Sequence, residues 1–211
     1  MTKFHFTFDK TTKSQKLKKL LLKKYKNTPV RNAEVIVVAG GDGFMLNALK
    51  KNILYKKPFY GINCGSFGFL MNKLDSGDLK KKIENANKTI INPLEITSSN
   101  KKHKKNLIAF NEISLFRQSR QTASLRIKIG KKNIIKKLVG DGVLISTPAG
   151  STAYNLSANG PILSLNSGKL AVTPISPFRP RRWKGKIISN KLKIKLINLD
   201  SKKRPVAAVA D

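Results

Sequence analysis

One junction constrains this chain more than any other. Residues 34–39, Glu-Val-Ile-Val-Val-Ala, form a nearly continuous apolar run that opens into Gly40-Gly41-Asp42-Gly43, and helical spacing follows over 44–51. A strand with no polar alternation has to be covered on both faces, as a parallel strand between helices is. Around it the sequence predicts a strand at 4–8, a helix at 15–26 capped by Ser14 with Leu17, Leu20, Leu21 and Tyr25 as its apolar face, a strand at 59–63 and a helix at 79–86. That alternation is the grammar of a Rossmann-like α/β unit. From about Ile90 it gives way to strand-like segments at 94–97, 107–116, 124–129, 134–139, 143–146 and 191–197 separated by short turns. The expected architecture is an N-terminal α/β domain over 1–90 and a mainly-β domain over 91–211.

The glycine bend sets the first chemical expectation. At the carboxyl end of a buried strand, glycines let the backbone approach an anion, and a helix N-terminus adds favourable partial charge. A carboxylate there repels phosphate unless it holds Mg²⁺ or takes a proton from an attacking hydroxyl. The bland alternative is that Asp42 only caps the next helix. The chain has no Gly-x-x-x-x-Gly-Lys-Ser/Thr stretch and no complete Gly-x-Gly-x-x-Gly fingerprint, which disfavours the ordinary P-loop and Rossmann dinucleotide readings.

Composition sharpens the choice of residues. Only 11 positions are acidic against 43 basic, for a net charge of +32. Asp42, Glu112 and Asp141 stand out because each lies beside glycine or an apolar run, whereas Asp75, Asp78 and Glu84 sit in polar surroundings. The basic excess suggests nucleic acid. Yet lysine outnumbers arginine 35 to 8 and is spread along the chain, which argues for a biased surface rather than specific base recognition. A positive field also gathers anionic nucleotides. The single cysteine, Cys64, excludes an intramolecular disulfide and suits a reducing compartment, and no apolar run is long enough for a membrane span. A cytoplasmic protein is expected. Lys101-Lys102-His103-Lys104-Lys105 reads as a solvated hairpin tip. The proline-bounded loop 176–183 is open between a packed surface loop anchored by Trp183 and a subunit contact or set of phosphate-binding arginines.

A second motif runs from Gly140-Asp141-Gly142 through Thr147-Pro148-Ala149-Gly150-Ser151-Thr152-Ala153-Tyr154-Asn155-Leu156-Ser157. It joins a strand to a turn rich in hydroxyls and then to an aromatic, a surface able to surround a ribose and stack beside a flat ring. Asp141 and the pair Asn111-Glu112 could accept hydrogen bonds from sugar hydroxyls or a carboxamide. Equally, Asn111-Glu112 could be an edge-strand pair and Tyr154 ordinary core.

Taken together and in this order, Gly40-Gly41-Asp42-Gly43, Gly61-Ile62-Asn63-Cys64-Gly65-Ser66-Phe67-Gly68-Phe69-Leu70, Asn111-Glu112 and the segment from Asp141 to Ser157 resemble the NAD kinase family. The likeness extends from about Val35 to the end. It implies phosphoryl transfer from ATP with Mg²⁺, or from polyphosphate in some bacterial members, to the adenosine ribose 2′-hydroxyl of NAD, held between the two domains of a homodimer or homotetramer. Asp42 would be the proton acceptor. Asp42, Gly43, Asn111, Glu112, Asp141, Ala149, Thr152, Ala153, Tyr154, Asn155, Leu156 and Ser157 would line the NAD site, with no separate protein metal site. Replacing Asp42 by Asn is expected to slow turnover while leaving NAD binding nearly unchanged. Two departures from the family pattern bear on this. Val139 stands where many members have a basic or polar residue, implying a lost phosphate contact. The sequence stops at Asp211, before a further strand that members usually carry, implying C-terminal truncation. A lipid or sugar kinase sharing the glycine loop, and a basic nucleic-acid-binding protein, are the rival readings, whereas the NAD kinase reading expects no specific nucleic-acid partner. No membrane partner is expected.

Overall fold

The computed structural model describes residues 2–66, 68–75, 77–99 and 104–211. The chain divides into two compact units, Met1–Lys88 and Thr89–Asp211.

In the first unit β1 (Phe4–Phe8), β2 (Val35–Gly40) and β3 (Phe59–Asn63) pair in parallel in the order β1-β2-β3. All six residues of β2 are buried, and they alternate between two cores. Val35, Val37 and Ala39 pack with Leu17, Phe4, Phe6 and Leu79. Ile36 and Val38 pack with Met45 and Ala48. The unbroken apolar run thus reflects a strand covered on both sides. Burial of such side chains contributes roughly 1.5–3 kcal/mol each.

Helix α1 (Thr12–Lys24) begins earlier than expected, with Thr11 as its cap, accepting from Ser14 N. Ser14 itself is fully buried inside the helix, and its hydroxyl donates to Ala39 O at 2.7 Å, fastening α1 to β2. Leu20, assigned to the apolar face by spacing, is 66% exposed, because Leu17, Leu21 and Tyr25 supply the contacts at fourfold spacing. Helix α2 (Asp42–Asn52) follows the glycine bend, and α3 (Leu79–Glu84) is capped by Asp78, which accepts from Lys80 N and Lys81 N and pairs with Lys24.

The second unit is a sandwich. Among the described residues one sheet has the order β11-β10-β9-β6-β13 and another β12-β7-β8, with β4 and β5 forming a hairpin. The strands are β4 (Leu94–Ser99), β5 (Lys104–Ala109), β6 (Glu112–Arg117), β7 (Ala123–Ile129), β8 (Lys132–Gly140), β9 (Gly142–Ser146), β10 (Lys169–Ile175), β11 (Lys186–Ser189), β12 (Ile194–Asn198) and β13 (Val206–Ala210). Leu115, Val143, Ile145, Leu170 and Val172 of the first sheet share one core with Leu125, Ile127 and Leu138 of the second.

Three differences from the sequence reading matter. The segment 107–116 is two strands, because Phe110-Asn111 bends between β5 and β6. Strand β10 was not anticipated. It carries Pro174, which a central strand usually excludes. Ile175 O accepts from Asp141 N, so the backbone of Pro174 faces the opposite side, beyond Val172, where the pairing with β11 ends. No ladder bond is lost there. The short strands β11 and β13 were also missed. Of the expected hairpin tip, Lys104 and Lys105 begin β5, and Lys101, Lys102 and His103 lie outside the described residues.

Candidate functional site

Asp42 stands at the first turn of α2, but it does not cap that helix. Gly41 occupies the cap position and offers no side-chain bond. The Asp42 carboxylate reaches instead to the segment after β3, accepting from Phe69 N at 2.7 Å and Leu70 N at 3.0 Å. Each carboxylate oxygen retains acceptor capacity after one such bond. Gly68 makes the approach close: a Cβ there would lie 3.3 Å from Asp42 Oδ1 and 3.1 Å from the Met71 side chain. Gly41 and Gly43 face open space. The result is a half-buried carboxylate at the carboxyl rim of a parallel sheet, beside a helix N-terminus that no side chain caps among the described residues, where an anion is favoured. The resemblance motif 61–70 thus contributes two backbone donors to Asp42, a role that residue type alone could not reveal. Phe67 of that motif lies outside the described residues.

In the second unit the turn after β9 is locked to the β5–β6 bend. Thr147 N donates to Asn111 O at 2.9 Å, and Thr147 Oγ1 donates to Phe110 O at 2.6 Å while accepting from Gly150 N. Gly150 is required by this packing, since a Cβ would fall 2.3 Å from Asn111 O. The 3₁₀ turn Ala149–Thr152 then leads into the four-residue helix α4 (Tyr154–Ser157).

The anticipated residues of this turn divide by exposure. Tyr154, Leu156 and Ser157 are exposed, and Thr152 and Ala153 half-buried. Ala149 is buried and lines a cavity of about 340 Å³ with Asn92, Pro93, Thr147 and Leu170. Asn155 is fully buried with its amide spent internally: Nδ2 donates to Pro161 O at 2.9 Å and Ser151 O at 3.3 Å, and Oδ1 accepts from Thr173 Oγ1 at 2.7 Å. Its side chain shapes the turn rather than facing outward.

Pleating of β6 turns Glu112, Ser114 and Phe116 to one face, where with Tyr154, Val209 and Asp211 they line a groove of about 360 Å³. Asp211 Oδ2 accepts from Asn111 N at 2.6 Å and Phe110 N at 3.2 Å, tying the end of β13 to the same bend. Glu112 Oε2 is buried and meets no hydrogen-bond partner among the described residues. Burial, and then the charge of neighbouring Asp211, push the Glu112 carboxyl up to about 7. Near neutrality a good share of Glu112 is therefore a neutral acid that can donate a hydrogen bond into the groove.

Asp141 is not in that groove. It lies at the opposite end of the β6–β9 ladder, ion-paired with Arg117, Nε to Oδ1 at 2.5 Å. Arg117 is five positions along β6 from Glu112, roughly 17 Å away at strand rise. Sequence reasoning missed Arg117 as this partner. The signal available was that Arg117 ends the strand opposite the Gly140-Asp141-Gly142 corner. Among the described residues no group of three or more metal-ligating side chains exists.

The first unit thus presents a carboxylate at a glycine bend without a P-loop, and the second a hydroxyl-rich turn beside an aromatic groove. Fold and site together define a class of two-unit proteins with an α/β half that carries a carboxylate at a glycine bend and a β-sandwich half. Comparison with known proteins narrows this. Residues 110–211 match the ATP-NAD kinase C-terminal domain. The NAD kinase of Caulobacter vibrioides is 44% identical over 212 residues, covering 100% of this chain and 82% of that protein. That of Brucella suis is 46% identical over 208 residues, covering 98% and 81%. The crystal structure of yeast NADH kinase complexed with NADH superposes with a TM-score of 0.72 at 28% identity, over 89% of this chain, which spans 57% of the yeast one. An NAD kinase from Archaeoglobus fulgidus in complex with ATP shares the fold, with a TM-score of 0.77 at 24% identity over 100% of this chain and 84% of that one. The chain belongs to the NAD kinase family.

Proposed function

We propose that this chain phosphorylates NAD on the 2′-hydroxyl of its adenosine ribose, with ATP as donor and NADP as product. The observation that carries this is Asp42. Its carboxylate is held by two backbone N–H groups at an open glycine bend, in a chain 44% identical to an NAD kinase over its whole length.

Asp42 would orient the ribose hydroxyl with its remaining acceptor capacity. An ordinary carboxylate is a weak base for an alcohol, but in a loose phosphoryl-transfer transition state the proton leaves late, so orientation precedes acceptance. The α2 N-terminus, open at Gly41 and Gly43, would stabilise phosphate charge. The donor set fits Mg²⁺ as a substrate-borne ion: Mg²⁺ is commonly held by one or two carboxylates plus phosphates, and Asp42 is the carboxylate at the bend. When bound, Mg²⁺ would neutralise the transferring phosphates.

For NAD itself, Tyr154 offers a ring for stacking, and Glu112, Thr152, Ala153, Leu156 and Ser157 surround or adjoin it, while Asn111, Ala149 and Asn155 hold the turn in shape. Asp141, paired with Arg117, would contact a more distant part of the dinucleotide. A cytoplasmic location and a homodimer or homotetramer belong to the same proposal, as does polyphosphate as a second donor to be tried.

Labelled ATP and Mg²⁺ supplied with NAD, NADH, sphingosine or fructose 6-phosphate test the acceptor. Label appearing in a dinucleotide supports the proposal, and label only in the lipid or sugar refutes it.

A further inference from the structure

The buried hydroxyl of Ser14 has no part in the chemistry above, yet it sits beside the bend that carries Asp42. Ser14 lies in the first turn of α1 with no exposed surface. Its Oγ donates to Ala39 O at 2.7 Å. The same carbonyl accepts from Asp9 N at 2.9 Å, so both of its lone pairs are used. One residue further along, Gly40 O accepts from Cys64 N at 2.8 Å, and the Cys64 side chain is itself hydrogen-bonded with Ser14. A single hydroxyl therefore joins α1 to the carboxyl ends of β2 and β3 at the point where the bend begins.

Beyond Gly40 the bend is weakly restrained by packing. A Cβ on Gly41 or Gly43 would meet nothing within 4 Å, and glycine has more backbone freedom to lose than any other residue. Phe69 N and Leu70 N hold the Asp42 carboxylate. The direction from which the Asp42 side chain arrives is set by the peptides leading into it, and Asp42 is only three positions past Ala39.

We infer that Ser14 is a positioning residue for the proposed phosphoryl transfer: its hydroxyl holds the Ala39–Gly40 peptide in the orientation that aims Asp42 at the acceptor hydroxyl. This rests on the reading of Asp42 as proton acceptor, and Ser14 acts through the backbone alone. Misplacing a reacting group by about 1 Å can cost on the order of 100-fold in rate, so a small rotation of this peptide is enough to matter. The plainer role, an anchor for α1, separates from this one by mutation. Alanine is a better helix former than serine, and Ala39 O keeps its bond from Asp9 N, so Ser14→Ala leaves the helix formed and the carbonyl paired. Leu17, also on α1 and buried, packs against Val35, Val37 and Ala39 of β2, so Leu17→Ala loosens the same contact without touching the hydroxyl.

The test compares the full-length parent, Ser14→Ala and Leu17→Ala by steady-state NADP formation, thermal unfolding and amide hydrogen exchange. Ser14→Ala should lower kcat by about 10-fold or more while KM for NAD and for ATP stays within about twofold of the parent. Exchange should quicken at the amides of Gly40–Gly43 and Cys64. Leu17→Ala should lower the unfolding temperature more than Ser14→Ala does, yet keep kcat within about threefold of the parent. Parent-like turnover by Ser14→Ala, or an equal loss of kcat in Leu17→Ala, would reduce the hydroxyl to a helix anchor and overturn the inference. A parent that forms no NADP would overturn the reading of Asp42 instead. The hold on the bend is tested even then, because unchanged exchange across 40–43 in Ser14→Ala overturns it without any turnover.

Discussion

Replacing Asp42 by Asn probes both the hydrogen bonds its carboxylate makes and the proton-accepting role proposed for it. The carboxylate accepts from Phe69 N and Leu70 N, one bond on each oxygen. An amide keeps one acceptor and presents its NH₂ to the other N–H, so one charge-assisted bond is lost and the second becomes neutral. Hydrogen bonds to charged groups contribute about 1.5–3 kcal/mol, and water recovers part of that at a half-exposed site. A net loosening of about 1–2 kcal/mol is expected in the segment after β3. The chemical loss is larger: without a proton acceptor, kcat should fall about 10²- to 10⁴-fold. The geometry changes the expectation that NAD binding is untouched, because the loosened segment should also raise KM for NAD severalfold. Asp42→Glu separates the effects, since it keeps both acceptors but displaces them by a methylene. It should retain more of the thermal stability than Asp42→Asn while also losing activity. NADP formation followed with an NADP-specific dehydrogenase, beside thermal unfolding, measures both. Turnover of Asp42→Asn within threefold of the parent would refute the assignment of Asp42 as proton acceptor.

Three further outcomes follow from the second unit. The folded chain keeps the Glu112 proton up to about pH 7, whereas the unfolded chain releases it near the ordinary glutamate value. The folded state therefore holds the extra proton between these values, and stability falls as pH rises through that window. Glu112→Gln should remove this slope, stabilising the fold by on the order of 1–2 kcal/mol at pH 8 after allowance for solvent screening and by little at pH 4, as read by urea unfolding. Asn155→Ala leaves Thr173 Oγ1 and two carbonyl acceptors without their buried partner, and should cost about 2–4 kcal/mol in the same assay. Gly150→Ala drives a methyl into Asn111 O and should raise KM for NAD by displacing Asn111-Glu112 from the turn, which steady-state kinetics would show.

The parallel unit was legible because β2 is apolar at every buried position and is followed at once by glycines. Few chain conformations satisfy both demands. Strand β10 was hidden by Pro174, whose acceptability depends on β11 ending at the right register, a long-range fact. Leu20 was misassigned because helical spacing admits neighbours on either side of the true stripe, and only packing against β1 and β2 chooses among them. The site divides in the same way. The position of Asp42 at a bend between strand and helix, and of the turn 149–157 after β9, could be read from residue types and order. Partners supplied by the backbone, such as Phe69 N and Leu70 N on Asp42, leave no trace in side-chain identity. Neither does the separation of Asp141 from Glu112, which is set by which ends of β6 and β9 face one another.

Where the transferred phosphate lands is the most direct measurement of the central claim. Incubation with NAD, ATP and Mg²⁺, followed by phosphorus and proton NMR of the isolated dinucleotide, should show one new phosphomonoester on the 2′-oxygen of the adenosine ribose. A phosphate at any other oxygen, or recovery of NAD unchanged by a well-folded protein, would contradict it.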